Sequence, residues 1–138
     1  MRDILFRGKR VDNEEWVYGN LITVYSYGEI VSTSIMGQST VAENIAVRFD
    51  TVGQYTGLFD KNMNKVFEGD KVCVETLSSS CKPIKMSGVI ERSNGVFSIA
   101  WDKKEYGRRS LNSLDFDKIE VIGNIYDTPK VVRVRRTK

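Results

Sequence analysis

The stretch Thr51–Val72, TVGQYTGLFDKNMNKVFEGDKV, decides how the rest of the chain is read. Leu58 and Phe59 run into Asp60, Lys61, Asn62, Met63 and Asn64, a cluster of turn formers in which asparagine bonds its own backbone and tolerates a left-handed conformation. The chain must reverse there. It leaves through Val66 and Phe67 to Glu68-Gly69-Asp70, where glycine opens backbone angles closed to other residues. Val72 and Val74 then alternate with Lys71, Cys73 and Glu75, a period of two that marks a strand with one apolar face. A glycine-punctuated approach, a tight reversal and a strand entering a barrel or sandwich together predict a joint between two β regions.

Working outward toward the N-terminus, Ile4–Lys9 and Trp16–Ile22 read as strands around the polar turn Val11-Asp12-Asn13-Glu14, with Trp16, Tyr18 and Ile22 on one parity. Val24–Tyr27 and Glu29–Ile35 flank Gly28 as a second hairpin or a bent strand. Gly37–Thr40 is a polar break. From Asn44 to Asp50 the alternation sets Ile45, Val47 and Phe49 against Ala46 and Arg48, with a short helical start over 41–44 as the other reading.

On the C-terminal side, Thr76–Lys82 is serine-rich and predicts an exposed, mobile loop, and Pro83 suits a strand start. Gly88–Arg92 and Val96–Trp101 surround Ser93-Asn94-Gly95; Asn-Gly between β-rich runs is a strong hairpin signal because both residues accept positive φ. Phe97, Ile99 and Trp101 share the face expected to be core. Residues 102–117 are polar and irregular, with Leu111, Leu114 and Phe116 offering at most one helical turn, and Ile119–Ile125 is a closing strand. No window carries a 3.6-residue period. The expected fold is mainly β: an N-terminal β region over 1–57 packed against a small SH3-like barrel over 58–128, with few or short helices and a basic C-terminal tail over 129–138.

A chain of 138 residues holds one domain with a substantial core or two small β units. Hydrophobic residues at 41% and charged residues at 28% exclude a chain too polar to bury a core. The net charge of +3 is unevenly placed: Lys130, Arg133, Arg135, Arg136 and Lys138 lie together, and residues 1–129 hold 16 basic against 18 acidic side chains, a net of −2. No apolar run approaches the roughly 20 residues of a membrane span, and MRDILFRGKR lacks a signal peptide's apolar core. A cytoplasmic location is therefore expected. Cys73 and Cys81 flank a loop across which a disulfide is sterically feasible, but a reducing compartment favours free thiols.

Histidine is absent, which eliminates Ser-His-Asp and Cys-His nucleophilic pairs and zinc sites that need imidazole. Two cysteines cannot make a four-cysteine zinc site, and no glycine-rich phosphate loop is present. The chain is thus expected to be no enzyme and to carry no cofactor or metal. Asp60, Glu68 and Asp70 are the carboxylates with the best prospect of meeting around a hard cation, although solvation of a tight turn explains them more simply. Asp115 and Asp117 form an Asp-x-Asp pair, but Phe116 between them points to a strand or turn with alternating faces and the pair to surface charge.

Two basic groups invite a partner. Lys103, Lys104, Arg108 and Arg109 surround Tyr106, a composition suited to phosphate contact and base stacking, though Glu105 among them also fits a solvated loop. In the tail, Arg133, Arg135 and Arg136 are unopposed by acids, while Val132 and Val134 alternate with arginines as in a strand that adds to a sheet edge. A nucleic-acid arm is the other reading.

Several of these segments form a pattern. Thr51-Val52-Gly53-Gln54-Tyr55-Thr56-Gly57-Leu58, Glu68-Gly69-Asp70 with its strand, Val121-Ile122-Gly123-Asn124-Ile125-Tyr126, Phe6-Arg7-Gly8-Lys9 and Trp16-Val17-Tyr18-Gly19 resemble, in order and spacing, the signature blocks of the YopX protein family. The resemblance implies a mostly β fold, a setting in bacteriophages and prophages, and no catalytic residues to carry over. At Thr128-Pro129-Lys130-Val131-Val132 the chain departs from the Asn-Pro, acid and leucine ending of such proteins. The expected function is that of a phage accessory protein that self-associates, as a homo-oligomer, or binds a host or phage protein. The alternative is nucleic-acid binding through the tail and the 103–109 loop.

Overall fold

The computed structural model describes residues 4–37, 44–77, 80–111 and 118–127. Within them the chain is mainly β and forms two compact units, Met1–Phe59 with Lys65–Glu68, and Asp60–Asn64 with Gly69–Lys138. The expected reversal at Asp60–Asn64 and the Glu68-Gly69 step are therefore where the backbone passes from one unit to the other.

The first unit is an antiparallel sheet of β1 (Phe6–Lys9), β2 (Trp16–Ser26), β3 (Glu29–Gly37), β4 (Asn44–Ala46), β5 (Gly53–Phe59) and β6 (Lys65–Phe67), in the order β4-β3-β2-β1-β5-β6. Gly28 closes a hairpin: Tyr27 and Gly28 both have positive φ, 51° and 80°, the geometry of a two-residue turn matched to strand twist. Strand β1 is central, and its alternation sends Gly8 to one face, where a Cβ would meet the Val47 and Ile35 side chains, and Arg7 and Lys9 to the other. The Arg7 guanidinium lies 4.5 Å from the Trp16 ring and 4.8 Å from that of Phe67. Both cations are buried, with π faces meeting charge that water would otherwise solvate. Leu5, Tyr55 and Phe67 form a buried cluster.

The expected alternation through Asp50 stops early. Ile45 and Val47 are half-buried and buried, but Phe49–Thr51 is a 3₁₀ turn with Phe49 exposed. The turn seats Thr51, whose hydroxyl accepts the Lys9 N–H at 2.9 Å and donates to the Arg48 carbonyl at 2.7 Å.

The second unit is an antiparallel sheet of β7 (Asp70–Leu77), β8 (Pro83–Ser93), β9 (Val96–Trp101), β10 (Arg108–Ser110) and β11 (Ile119–Asn124), in the order β10-β9-β8-β7-β11. That is the strand succession of an SH3-like module; among the described residues no ladder closes β10 onto β11. Val72, Val74, Ile90, Ile99, Leu111 and Ile119 are almost fully buried. Phe97, Ile99 and Trp101 face the core as their spacing predicts, and Asn94 and Gly95, at φ 53° and 77°, make the expected hairpin turn. Thr76 and Leu77 are not loop but strand, paired with Ile84 and Pro83. Strand β10 falls in the segment expected to be irregular. Both thiols are free, Cys73 half-buried and Cys81 exposed.

Candidate functional site

The acidic turn is filled from within. Asp60 Oδ1 accepts the N–H groups of Asn62 and Asn64 at 2.9 and 2.8 Å, and Oδ2 accepts that of Val121 at 2.9 Å. Desolvation pushes the Asp60 carboxyl up, but these donors together outweigh it and hold the pKa below the ordinary aspartate value. Glu68 accepts the Gln54 N–H at 3.3 Å. Among the described residues no group of three or more acidic, histidine or cysteine side chains stands where it would hold a metal ion. Asp60 is a backbone clamp; Asp115 and Asp117 lie outside the described residues.

A cleft forms in the second unit for a reason visible in the ladders. Strand β8 pairs with β7 from Leu77↔Pro83 to Lys71↔Val89, but its ladder with β9 reaches only Gly88↔Trp101. Beyond Trp101 the chain leaves the sheet: Asp102 N–H donates to the Ser87 carbonyl at 2.9 Å, Lys104–Tyr106 makes a 3₁₀ turn, and Trp101 N–H returns to the Gly107 carbonyl at 3.1 Å. Among the described residues Ile84–Met86 therefore keep one edge that no ladder meets, next to the Ser87 carbonyl that Asp102 takes. The turn and this edge enclose a cleft of about 350 Å³ lined by Ile84, Lys85, Met86, Ser87, Trp101, Asp102, Lys103 and Tyr106.

Its chemistry is mixed. Trp101, only 8% exposed, gives an apolar wall, with Ile84 and Met86 beside it, and Tyr106, 54% exposed, has the Lys103 ammonium 5.9 Å from its ring. Lys85 and Lys103 against Asp102 leave the lining net positive. The backbone adds a directional element. Antiparallel strands point alternate residues' N–H and C=O to the same side, so Lys85 turns its amide toward the side on which the Ser87 carbonyl meets Asp102. No ladder among the described residues meets it.

The basic residues singled out in the sequence divide accordingly. Lys103 and Tyr106 line the cleft, Lys104 is exposed on the same 3₁₀ turn, and Arg108 and Arg109 start β10, where Arg108 pairs with Glu91 at 2.9 Å. Arg133, Arg135 and Arg136 lie outside the described residues. Sequence reasoning missed Ile84–Ser87, because the open edge depends on β9 ending one residue before Asp102.

Two antiparallel sheets, an SH3-like strand order and an acidic joint that clamps backbone define an all-β protein of two units. The chain belongs to the YopX protein family, whose model matches residues 5–133. Among solved structures it is similar to the crystal structure of protein EF1440 from Enterococcus faecalis, at 20% identity and a TM-score of 0.55, over 96% of this chain and 99% of that one. This likeness extends to the fold. No curated protein matches the chain. No helix among the described residues is long and apolar enough to cross a membrane.

Proposed function

We propose that the chain is a non-enzymatic accessory protein of a phage or prophage, working in the host cytoplasm through protein partners, whether a second copy or a host or phage protein. The cleft takes an extended segment of such a partner. The observation that carries this reading is the edge of β8 at Ile84–Met86, which no ladder among the described residues meets: an added strand gains main-chain hydrogen bonds at Lys85, while neighbouring pockets read its alternate side chains. Trp101, Met86 and Ile84 favour an apolar side chain on the incoming segment, and Lys85 and Lys103 favour a carboxylate beside it. The absence of histidine and the commitment of the Asp60 oxygens to backbone donors support a binding role over catalysis.

The test is affinity capture from host lysate, with nuclease treatment as a control, using the wild type and Lys85→Pro. Proline at 85 removes an N–H that faces the cleft and leaves the β7 ladder intact. A protein held by the wild type and lost by the variant supports the reading; equal retention overturns it.

The exposed Tyr106 with its lysine neighbours favours a second reading, stacking of a nucleic-acid base. It requires affinity for random DNA or RNA that falls steeply with salt. Absence of binding at low salt ends it.

A further inference from the structure

In the first unit, β2 and β3 run on past the strands that flank them. The β1 ladder on β2 ends at Gly19, the β4 ladder on β3 begins at Ser34 with Val47 N–H on the Thr33 carbonyl just before it, and among the described residues β2 over Asn20–Ser26 and β3 over Glu29–Ser32 pair with each other and with no third strand. All nine residues from Val24 to Ser32 are exposed, among them Val24, Tyr25, Tyr27, Ile30 and Val31, with Tyr27 in full contact with solvent. A lone two-stranded ribbon is marginally stable in water, and a long uncovered apolar edge invites another strand. This one is nearly free of the charges that protect such edges: from Trp16 to Gly37 the only charged residue is Glu29.

The charge pattern selects the partner class. Without a lysine or arginine, the ribbon offers nothing to phosphates, and a lone hairpin entering lipid would leave its backbone groups unsatisfied. A protein strand satisfies both edge and apolar surface. The edge of β2 that no strand among the described residues pairs with is Asn20-Leu21-Ile22-Thr23-Val24-Tyr25-Ser26, which reads nearly the same in both directions about Thr23. β-branched Ile22 mirrors Val24, large Leu21 mirrors Tyr25, and small polar Asn20 mirrors Ser26. An antiparallel pair of identical strands related by a two-fold axis needs this self-complementarity.

We propose that two copies of this chain join edge to edge through β2, antiparallel about a two-fold axis at Thr23, so that the two ribbons form one continuous sheet. Ile22 then stands opposite the partner's Val24 and Leu21 opposite the partner's Tyr25. The seven-residue edge fits its own length, since the partner's Tyr27 turn falls where β1 takes over the pairing at Gly19. The exposed apolar side chains of each ribbon present on the order of 600 Å², counting an exposed aromatic at about 150–250 Å². Pairing through β2 covers chiefly the part of this surface that Val24 and Tyr25 carry on β2, while Ile30 and Val31 on β3 stay one strand removed from the partner. The inference rests on the reading of the chain as a protein-binding module, but it uses a surface separate from the cleft.

The test is the mass of the full chain by light scattering at micromolar concentration, together with cross-linking. A dimer is expected at twice the 15.7 kDa of the chain, reduced to monomer by Thr23→Lys, which sets like charges face to face, with the circular dichroism spectrum unchanged. As a second variant that does not depend on disruption, Thr23→Cys in a Cys73→Ser, Cys81→Ser background brings two thiols within the Cα separation a disulfide spans. It should link into dimers under mild oxidation, whereas Glu75→Cys in the same background should not. A monomeric wild type, or a dimer that neither cross-links at Thr23→Cys nor responds to Thr23→Lys, overturns the proposal. Capture of a cleft partner that survives Thr23→Lys separates failure here from failure of the binding reading.

Discussion

Asp60 accepts a hydrogen bond at 2.9 Å from the backbone N–H of Val121, 61 residues further along the chain. The same carboxylate shapes its own turn by taking the N–H groups of Asn62 and Asn64. One buried side chain thus fixes both a local reversal and the position of a closing strand.

Replacing Asp60 with alanine removes the acceptor of three part-buried backbone donors and should destabilise the chain by about 1–3 kcal/mol, since water can reach the N–H groups of the exposed Asn62 and Asn64. Asp60→Asn keeps one carbonyl oxygen and should cost less. Urea denaturation of both variants measures the difference.

The same group gives the stability a pH dependence of known sign. Because its folded pKa lies below the unfolded value of 3.8, its contribution is fully present above that value and is lost as the pH falls through the folded pKa. Denaturation midpoints should therefore decline below about pH 3.8 less steeply in Asp60→Asn than in the wild type. Parallel declines would remove Asp60 as the source.

Gly69 combines two constraints: φ is +92°, and a Cβ there would meet the Tyr126 ring at 2.7 Å. Its N–H and C=O are also engaged, with Ile90 at 2.8 Å and Ile125 at 3.0 Å. Gly69→Ala should cost about 1–3 kcal/mol in backbone strain alone. Combining it with Tyr126→Ala should recover the overlap part of the loss and leave the strain, which a double-mutant cycle in denaturant resolves.

Arg7 tests the buried cation of the first unit. Lysine keeps the charge but loses the planar face that stacks on Trp16 and Phe67, so Arg7→Lys should lower stability by about 1–2 kcal/mol, the scale of a desolvated cation–π contact. Thermal denaturation checks this. An unchanged midpoint would assign the stability of that face to the aromatic rings alone.

Much of this was legible in the sequence, for identifiable reasons. The Asn94-Gly95 turn and the Phe97, Ile99, Trp101 face depend on local chemistry that a few residues specify. The reversal at Asp60 was readable too, yet its acidic residues invited a cation because nothing local reveals that Val121 supplies a donor. Arg7 and Lys9 alternate around Gly8 as solvated residues would, and nothing local reveals that the rings of Trp16 and Phe67, from elsewhere in the chain, receive them in the buried face. Strand β10 escaped notice because Arg108, Arg109 and Ser110 are polar and exposed, strand by pairing with β9 and not by pattern. The cleft was half visible: Lys103 and Tyr106 drew attention by composition, while the Ile84–Ser87 edge exists only through the register of three strands.

The binding role is tested most directly by selecting peptides from a random library on the wild-type chain and measuring the dissociation constant of the best one against Lys85→Pro and Tyr106→Ala. The selected sequences should carry an apolar residue beside an acidic one and be bound roughly 10- to 100-fold more weakly by each variant, as for the loss of a central contact. Peptides without that pattern, or affinities untouched by either substitution, would contradict it.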